Sequence, residues 1–420
     1  MPRMPNPKIL ATFMSALAAS AAYADGGEWP QWRGPTRDCF VAPTSAAWPD
    51  SLDSLNRVWR VELGPGYSGP IVWGDKVFVT ETRDEKYEIV RALDRNTGRE
   101  LWKSQWEGAM SVPFFAKSNG DWIRSTPACD GRFLYVGGMQ DVLVCIDIED
   151  GAIRWRVDFA GRYETGDPAF GFVCSPLLDG DALYVQVAAS VVRVDRKTGD
   201  VVWRSMVTKG EMTDSAFSSP VIATLQGKRQ LVVQTRMQLA GLEPATGDIL
   251  WAIDVPNFRG MNILTPTVIG DQVLTSTYKN QTYMYAIEKG EDGLAVREKW
   301  RLPAQGYMSS PVVVNGFGYL HLGNGRLCCI DLDKGEQRWR TKSFGKYWSM
   351  AVNRDRILAL DQRGGLVLLA ANPDKPTILA RKRIADDETW AHLAVAGEQL
   401  FIRELRAISC YRWKSEASSN

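Results

Sequence analysis

One eleven-residue phrase recurs along this chain, and it constrains the fold more than any other feature. It first appears as Ala92-Leu-Asp-Arg-Asn-Thr-Gly98-Arg-Glu-Leu-Trp102. It returns as Cys145 to Trp155, Arg193 to Trp203, Gly241 to Trp251 and Cys329 to Trp339. Each copy has an acidic residue third, Gly seventh and Trp last, and a weaker copy runs from Ala286-Ile-Glu288 through a longer loop to Trp300. Self-similarity at a fixed spacing is the signature of a repeat architecture. Each phrase predicts a hairpin: an alternating strand ends at the acidic residue, whose carboxylate caps the turn through backbone bonds. The Gly supplies the φ > 0 position of a short loop, and the next strand carries the Trp. A ring of that size buries about 150–250 Å², roughly 4–6 kcal/mol of gross burial at about 25 cal/mol per Å².

A second hairpin precedes each phrase. A Ser/Thr-Pro pair opens an apolar strand, as at Thr126-Pro127, Ser175-Pro176 and Ser310-Pro311, and a Gly/Asp turn and an aliphatic strand follow. Four short strands in about 47 residues make one propeller blade. Strand-opening sites at Gly69-Pro70, Thr126-Pro127, Ser175-Pro176, Ser219-Pro220, Thr265-Pro266 and Ser310-Pro311, with weaker ones at Met350-Ala351 and His392-Leu393, predict eight blades. The docking tryptophans are Trp59, Trp102, Trp155, Trp203, Trp251, Trp300 and Trp339, and Ile378 to Arg381 stands in their place in the seventh blade. The strand around Trp59 precedes every opening pair, while the last unit has only three strands. An N-terminal strand therefore completes the last blade and closes the ring. The fold class is all-β, an eight-bladed β-propeller of four-stranded antiparallel blades.

Residues 1–24 read as a signal peptide, with Arg3 and Lys8, an Ala-rich apolar run and Ala22-Tyr23-Ala24 at the cleavage site. The run is short for a membrane span, and no Cys follows it to take a lipid anchor. Its loss moves the formal net charge from +1 to −1. These features predict an exported protein, most simply periplasmic. An N-terminal extension (25–56), the propeller (57–413) and a C-terminal tail (414–420) follow. A near-neutral chain has no field to draw it onto nucleic acid. Two histidines, His321 and His392, nearly exclude a multi-His metal site. Seven irregularly spaced cysteines are no disulfide scaffold, and their odd number leaves at least one thiol free in a monomer. A closed ring predicts a monomeric propeller without a membrane span.

The Ala-x-Asp-x-x-Thr-Gly-x-x-x-Trp phrase resembles the tryptophan-docking repeat of propellers of the pyrroloquinoline-quinone (PQQ) type, and the resemblance covers residues 57–413. Trp29-Pro-Gln-Trp32-Arg-Gly-Pro35 resembles the opening of secreted quinoprotein-like propellers. That family holds quinone-dependent dehydrogenases, a lipoprotein of outer-membrane barrel assembly and many secreted members without a known role, so the shared fold does not choose among functions. A dehydrogenase of this type holds PQQ and Ca²⁺ in the central funnel with an Asp base. This chain lacks the Tyr-Asp dipeptide of that group's late signature and its long insertions. The resemblance also allows a vicinal Cys328–Cys329 disulfide, although Cys329 holds the same repeat position as Cys145, that of a small apolar strand residue. Asp94, Asp147, Asp195 and Asp331 read as turn caps rather than ligands. His392 stands where a general base could, and a lone His there is ordinarily just packed.

Just before the strand openers stand Tyr67, Arg124, Phe172, Phe217, Asn262, Tyr307, Trp348 and Trp390. A mostly aromatic ring there would line the channel mouth as a candidate funnel, with the insertion from Trp106 to Trp122, bearing Phe114 and Phe115, over it. Turns on the same face carry Arg83, Arg236, Lys279, Arg326, Arg363 and Arg403. Aromatics with Arg suit a planar, anionic or peptide-like ligand. The competing reading is plain packing between blades and solvated turns. The leading expectation is a secreted, non-catalytic scaffold that binds a protein, peptide or glycan of the cell envelope on its loop face. No catalytic or metal residues and no cofactor are expected. The alternative is a PQQ-dependent oxidoreductase using the funnel, which requires three or more carboxylate or amide oxygens to converge there.

Overall fold

A computed structural model describes residues 27–208 and 216–413. The segment read as an export signal (1–24) and the C-terminal tail (414–420) lie outside the described residues. Eight four-stranded antiparallel sheets form the ring, with blades over 71–107, 128–158, 177–205, 221–254, 267–302, 312–343, 348–383 and 394–413. In the first seven, strand order from centre to rim follows the chain. In the eighth, the outermost strand is Leu55–Glu62, paired antiparallel with Ala407–Trp413, so the ring closes through the N-terminal strand.

Opposite five of the seven docking tryptophans stands a small residue: Ala92 faces Trp102, Cys145 faces Trp155, Gly241 faces Trp251, Cys329 faces Trp339 and Cys410 faces Trp59, while Arg193 faces Trp203 and Met284 faces Trp300. Cross-strand partners share a face of the sheet, so a small residue leaves room for the ring. The register shifts immediately after these positions, for example between Ala92 and Leu93 and between Cys145 and Ile146. A bulge of that kind increases local twist and turns the outer strand toward its neighbour.

The tryptophan then docks on the next blade. Trp102 donates its indole N–H to the Ile148 carbonyl (2.9 Å), Trp155 to Arg196 (3.1 Å), Trp300 to Leu332 (3.0 Å) and Trp59 to Arg95 (3.0 Å). In each case the acceptor lies three residues before the turn glycine, and the ring lies on that glycine. A Cβ at Gly151 would sit 2.7 Å from Trp102, and one at Gly199 would sit 2.9 Å from Trp155. The glycine thus serves the docked ring as well as its own φ. Trp251 departs from the rule. The fifth blade replaces the phrase with the long hairpin Thr282–Gly290 and Gly293–Leu302, and Trp251 instead donates to Gln230 Oε1 within its own blade (2.6 Å).

The strand openers carry a second inter-blade device. The hydroxyl before each proline accepts the backbone N–H of the preceding blade's opener: Gly69 to Thr126 (2.9 Å), Thr126 to Ser175 (3.2 Å), Ser175 to Ser219 (2.9 Å), Ser219 to Thr265 (3.0 Å) and Thr265 to Ser310 (3.1 Å). Five hydrogen bonds, one between each neighbouring pair, therefore lace blades one to six around the channel.

Arg403 corrects the sequence reading. It is no solvated turn residue but a fully buried clasp, donating to the carbonyls of Glu404, Leu405 and Ala407 in blade eight and of Gly64 and Thr80 beside blade one. Burial lowers its pKa to about 10, so it remains charged at neutral pH.

Candidate functional site

The N-terminal extension supplies the floor of the site. Trp29 pairs with Val72 on the inner strand of blade one, and Phe40 bridges Val352 on the inner strand of blade seven. Between these anchors the chain crosses the central channel. Arg37 donates to the carbonyls of Pro176 (2.7 Å) and Ser175 (3.1 Å), and Arg33 Nη2 donates to the Pro311 carbonyl. One short segment thus touches blades one, three, six and seven. Arg33, Arg37 and Cys39 hold φ of 63°, 58° and 76°, a region that costs L-residues about 1–3 kcal/mol each. Buried guanidinium contacts hold this strained plug in place. Burial lowers the Arg37 pKa to about 9, which leaves the group charged at neutral pH.

Above the plug is a cup of about 200 Å³. Its wall follows a simple register. The residue two positions before the strand opener lines the cup in every blade: Tyr67, Arg124, Val173, Phe217, Ile263, Met308, Trp348 and Trp390. Six of the eight candidate residues are brought together here: Tyr67, Arg124, Phe217 and Trp348 and Trp390 by that register, and Tyr307 from three positions before its opener. Phe172 and Asn262 also stand three before theirs, and the structure places them elsewhere. Phe172 is buried between blades two and three against Gly137, and Asn262 donates to the Arg236 carbonyl (2.8 Å). Neighbouring residues of an extended segment point to opposite sides, so Val173 and Ile263 take the wall.

An arc of rings borders one side. Tyr278 and Tyr307 lie 5.1 Å apart, Tyr307 and Tyr347 5.7 Å, Tyr347 and Trp390 4.0 Å, and Trp390 and Tyr67 4.6 Å between centroids. Across the mouth, Phe115 meets Phe170 and Phe170 meets Phe217. Phe114 and Phe115 ride on the 3-10 helix Phe114–Asn119, and Phe114 is 89% exposed. Arg124 holds this insertion through the carbonyls of Gly120 (2.6 Å) and Trp122 (3.2 Å). Lys279 and Lys346 sit over Phe258 and Tyr347 at the rim.

Both histidines are neutral, because burial pushes each down to about 4. His321 is stacked on Trp348 and bonded to the Gly345 carbonyl. His392 lines the cup, with Nδ1 donating to the Leu393 carbonyl (3.0 Å) and Nε2 3.8 Å from Cys39 Sγ. Burial raises the Cys39 thiol, and Arg33 Nε donates to its sulfur (2.9 Å). All seven cysteines are free and buried. Cys328 and Cys329 are not joined: adjacent on one strand, they enter different cores. The repeat aspartates cap turns, as where Asp94 Oδ1 accepts from Thr97 N (2.8 Å) and Asp195 Oδ1 from Lys197 N (2.8 Å).

A quinone with Ca²⁺ needs several converging oxygen ligands. The cup wall carries no Asp or Glu and a single amide, Asn119, while the hydroxyls of Ser175, Ser219 and Thr265 already accept bonds between blades. Among the described residues no three His, Cys, Asp or Glu side chains are grouped to hold a metal ion. These residues do not fit the quinone and calcium arrangement.

The sequence reading missed the plug residues Trp32, Arg33 and Arg37. Their one signal was two Trp and two Arg packed into a short stretch ahead of the ring.

A family model described as outer membrane protein assembly factor BamB (PQQ_2) matches residues 86–341. The chain is 19% identical over 333 residues to the outer membrane protein assembly factor BamB of Yersinia pestis, covering 76% of this chain and 69% of that one. It is 23% identical over 267 residues to that of Moranella endobia, covering 57% of this chain and 65% of that one, slightly under two thirds of its length. Among solved structures, BamB from Moraxella catarrhalis superposes with a TM-score of 0.62 at 15% identity, covering 87% of this chain and 99% of that one. A europium-containing methanol dehydrogenase superposes with a TM-score of 0.54 at 12% identity, covering 91% and 90%. At such identities the structural likeness shows the shared fold alone. The family model spans more than half of the sequence, and the chain belongs to the family described as outer membrane protein assembly factor BamB.

Proposed function

We propose that this chain is a non-catalytic scaffold of the cell envelope that binds a protein partner on its cup face. The observation that carries this reading is the arc of aromatic rings around a cup without carboxylates, on a ring locked by docked tryptophans and laced hydroxyls. Aromatic anchors on a rigid frame are what recognition surfaces use: large contact area with few rotamers to freeze. The named role of the relatives, outer membrane protein assembly, supports a partner within the envelope. Among the described residues no helix is long and apolar enough to cross a membrane.

The test compares capture of envelope proteins by the full chain and by a Tyr347→Ala/Trp390→Ala variant of unchanged melting temperature. The reading expects one stoichiometric partner whose recovery falls at least about tenfold with the variant, the loss of two hot-spot rings. Equal recovery by both proteins would refute the cup face as the binding surface.

A further inference from the structure

The cup holds positive charge that no carboxylate pairs directly. Arg33 and Arg124 line it, Arg37 lies beneath, and no carboxylate stands within 4.0 Å of any of the three among the described residues. Of the acids near the mouth, Glu388 is engaged by the Tyr67 hydroxyl (3.1 Å), and Asp121, which acts on Arg124 at longer range, is paired with Lys117. Arg33 is 2% exposed. Its Nε is spent on Cys39 Sγ and its Nη2 on the Pro311 carbonyl, which leaves Nη1 without a hydrogen bond inside the protein. A second donor is also unused: Trp348 Nε1 is buried on the cup wall with no partner. A buried cation without an anion and a buried N–H without an acceptor are costly unless a ligand supplies them. The remaining surface is aromatic and apolar, and the volume of about 200 Å³ lies below the ~300–1,000 Å³ of pockets that take whole drug-sized ligands.

We propose that the cup takes a residue-sized aromatic carboxylate, its anion on Arg33 Nη1 and Trp348 Nε1 and its ring among Tyr307, Tyr347 and Trp390. This rests on the binding-scaffold reading and names the chemistry that its deepest point recognises. The same group can come from two sources, a free small acid or the last residue of a polypeptide. Neutral ligands of the same shape lack the acceptor that both donors need.

Calorimetric titration of the full chain tests this with four probes: 3-phenylpropionate, 3-phenylpropanamide, N-acetyl-phenylalanine and N-acetyl-phenylalanine amide. The acids are expected to bind at least about tenfold more tightly than their amides, as a charge-assisted hydrogen bond requires. Tighter binding of N-acetyl-phenylalanine than of phenylpropionate identifies a chain end as the source; the reverse identifies a free acid. Arg33→Gln is expected to bring the acid-to-amide ratio close to one. Because Arg33 also pins the plug, Trp348→Phe serves as the second variant: it keeps an aromatic ring while removing the donor together with one ring of the indole, and should weaken the acids about threefold or more relative to the amides. Equal binding of acids and amides, or no binding of any probe below about 10 mM, overturns the proposal. Partner capture that still depends on Tyr347 and Trp390 would then leave the scaffold reading standing.

Discussion

Replacing Gly151 and Gly180 by alanine separates backbone strain from ring docking. Both glycines have positive φ, 73° and 57°. At Gly180 a new Cβ meets nothing within 4 Å, whereas at Gly151 it lands 2.7 Å from the Trp102 ring. Gly180→Ala should therefore cost only the left-handed conformation, about 1–2 kcal/mol. Gly151→Ala pays that and also displaces the ring. The indole N–H loses the Ile148 carbonyl, about 1 kcal/mol. If half of a ~200 Å² ring is exposed, about 2.5 kcal/mol of burial goes as well. The expected difference between the two variants is about 3.5 kcal/mol. In a ring of this size each kcal/mol moves Tm by only about 1 °C, from an unfolding entropy of about 2.1 cal/mol/K per residue. Scanning calorimetry should accordingly show Gly151→Ala melting about 3–4 °C below Gly180→Ala. In a Trp102→Leu background the two substitutions should cost the same, a coupling that a double-mutant cycle reads directly. Equal melting of the two single variants, or a coupling near zero, would refute the docking account.

Three further outcomes follow from the same geometry. Burial pushes the Glu88 carboxyl up to about 8 and Asp141 up to about 7. The unfolded chain releases these protons near pH 4 while the folded ring keeps them, so stability should fall as pH rises from about 4 to 8 and level off above. Asp141→Asn keeps an acceptor for the Ala188 N–H and should flatten the lower part of that slope in pH-dependent melting curves. Ser219→Ala removes the acceptor of the Ser175 N–H and should cost about 1–3 kcal/mol for a buried unpaired donor, a Tm loss of a few degrees or less. No thiol of the native protein should react with an aromatic disulfide reagent, and all seven should react after denaturation, because every cysteine is buried and free.

The ring was readable in the sequence because its repeat residues answer steric demands that no other residue meets. Trp102 needs Gly151 beneath it and a small Ala92 opposite, and the glycine demand recurs under Trp59, Trp155, Trp203 and Trp300. Three of the cysteines, Cys145, Cys329 and Cys410, are such small residues, which is why their spacing looked irregular as a disulfide pattern. The cup was only partly readable. Its wall is built from segments ahead of the inner strands, where no alternation fixes the register. A choice between Phe172 and Val173, or between Asn262 and Ile263, could not be made from residue type. Aromatic character favoured Phe172, yet its ring closes the interface between two blades. The plug from Trp29 to Phe40 has neither helical nor strand periodicity. Its place in the channel is set by long-range contacts of Arg33 and Arg37 with blades six and three. Arg403 likewise looked like any turn arginine, and only ring closure reveals the five carbonyls around it.

Photo-cross-linking resolved by face is the most direct test that the cup face is the recognition surface. A photoreactive residue would be placed singly at Phe115 or Tyr307 on the cup face and at Thr198 or Lys334 on the opposite turns. Irradiation in intact envelopes should join the first pair of positions to one protein partner and leave the second pair unlinked. Cross-links from Thr198 or Lys334 to that partner, with none from Phe115 or Tyr307, would contradict the account.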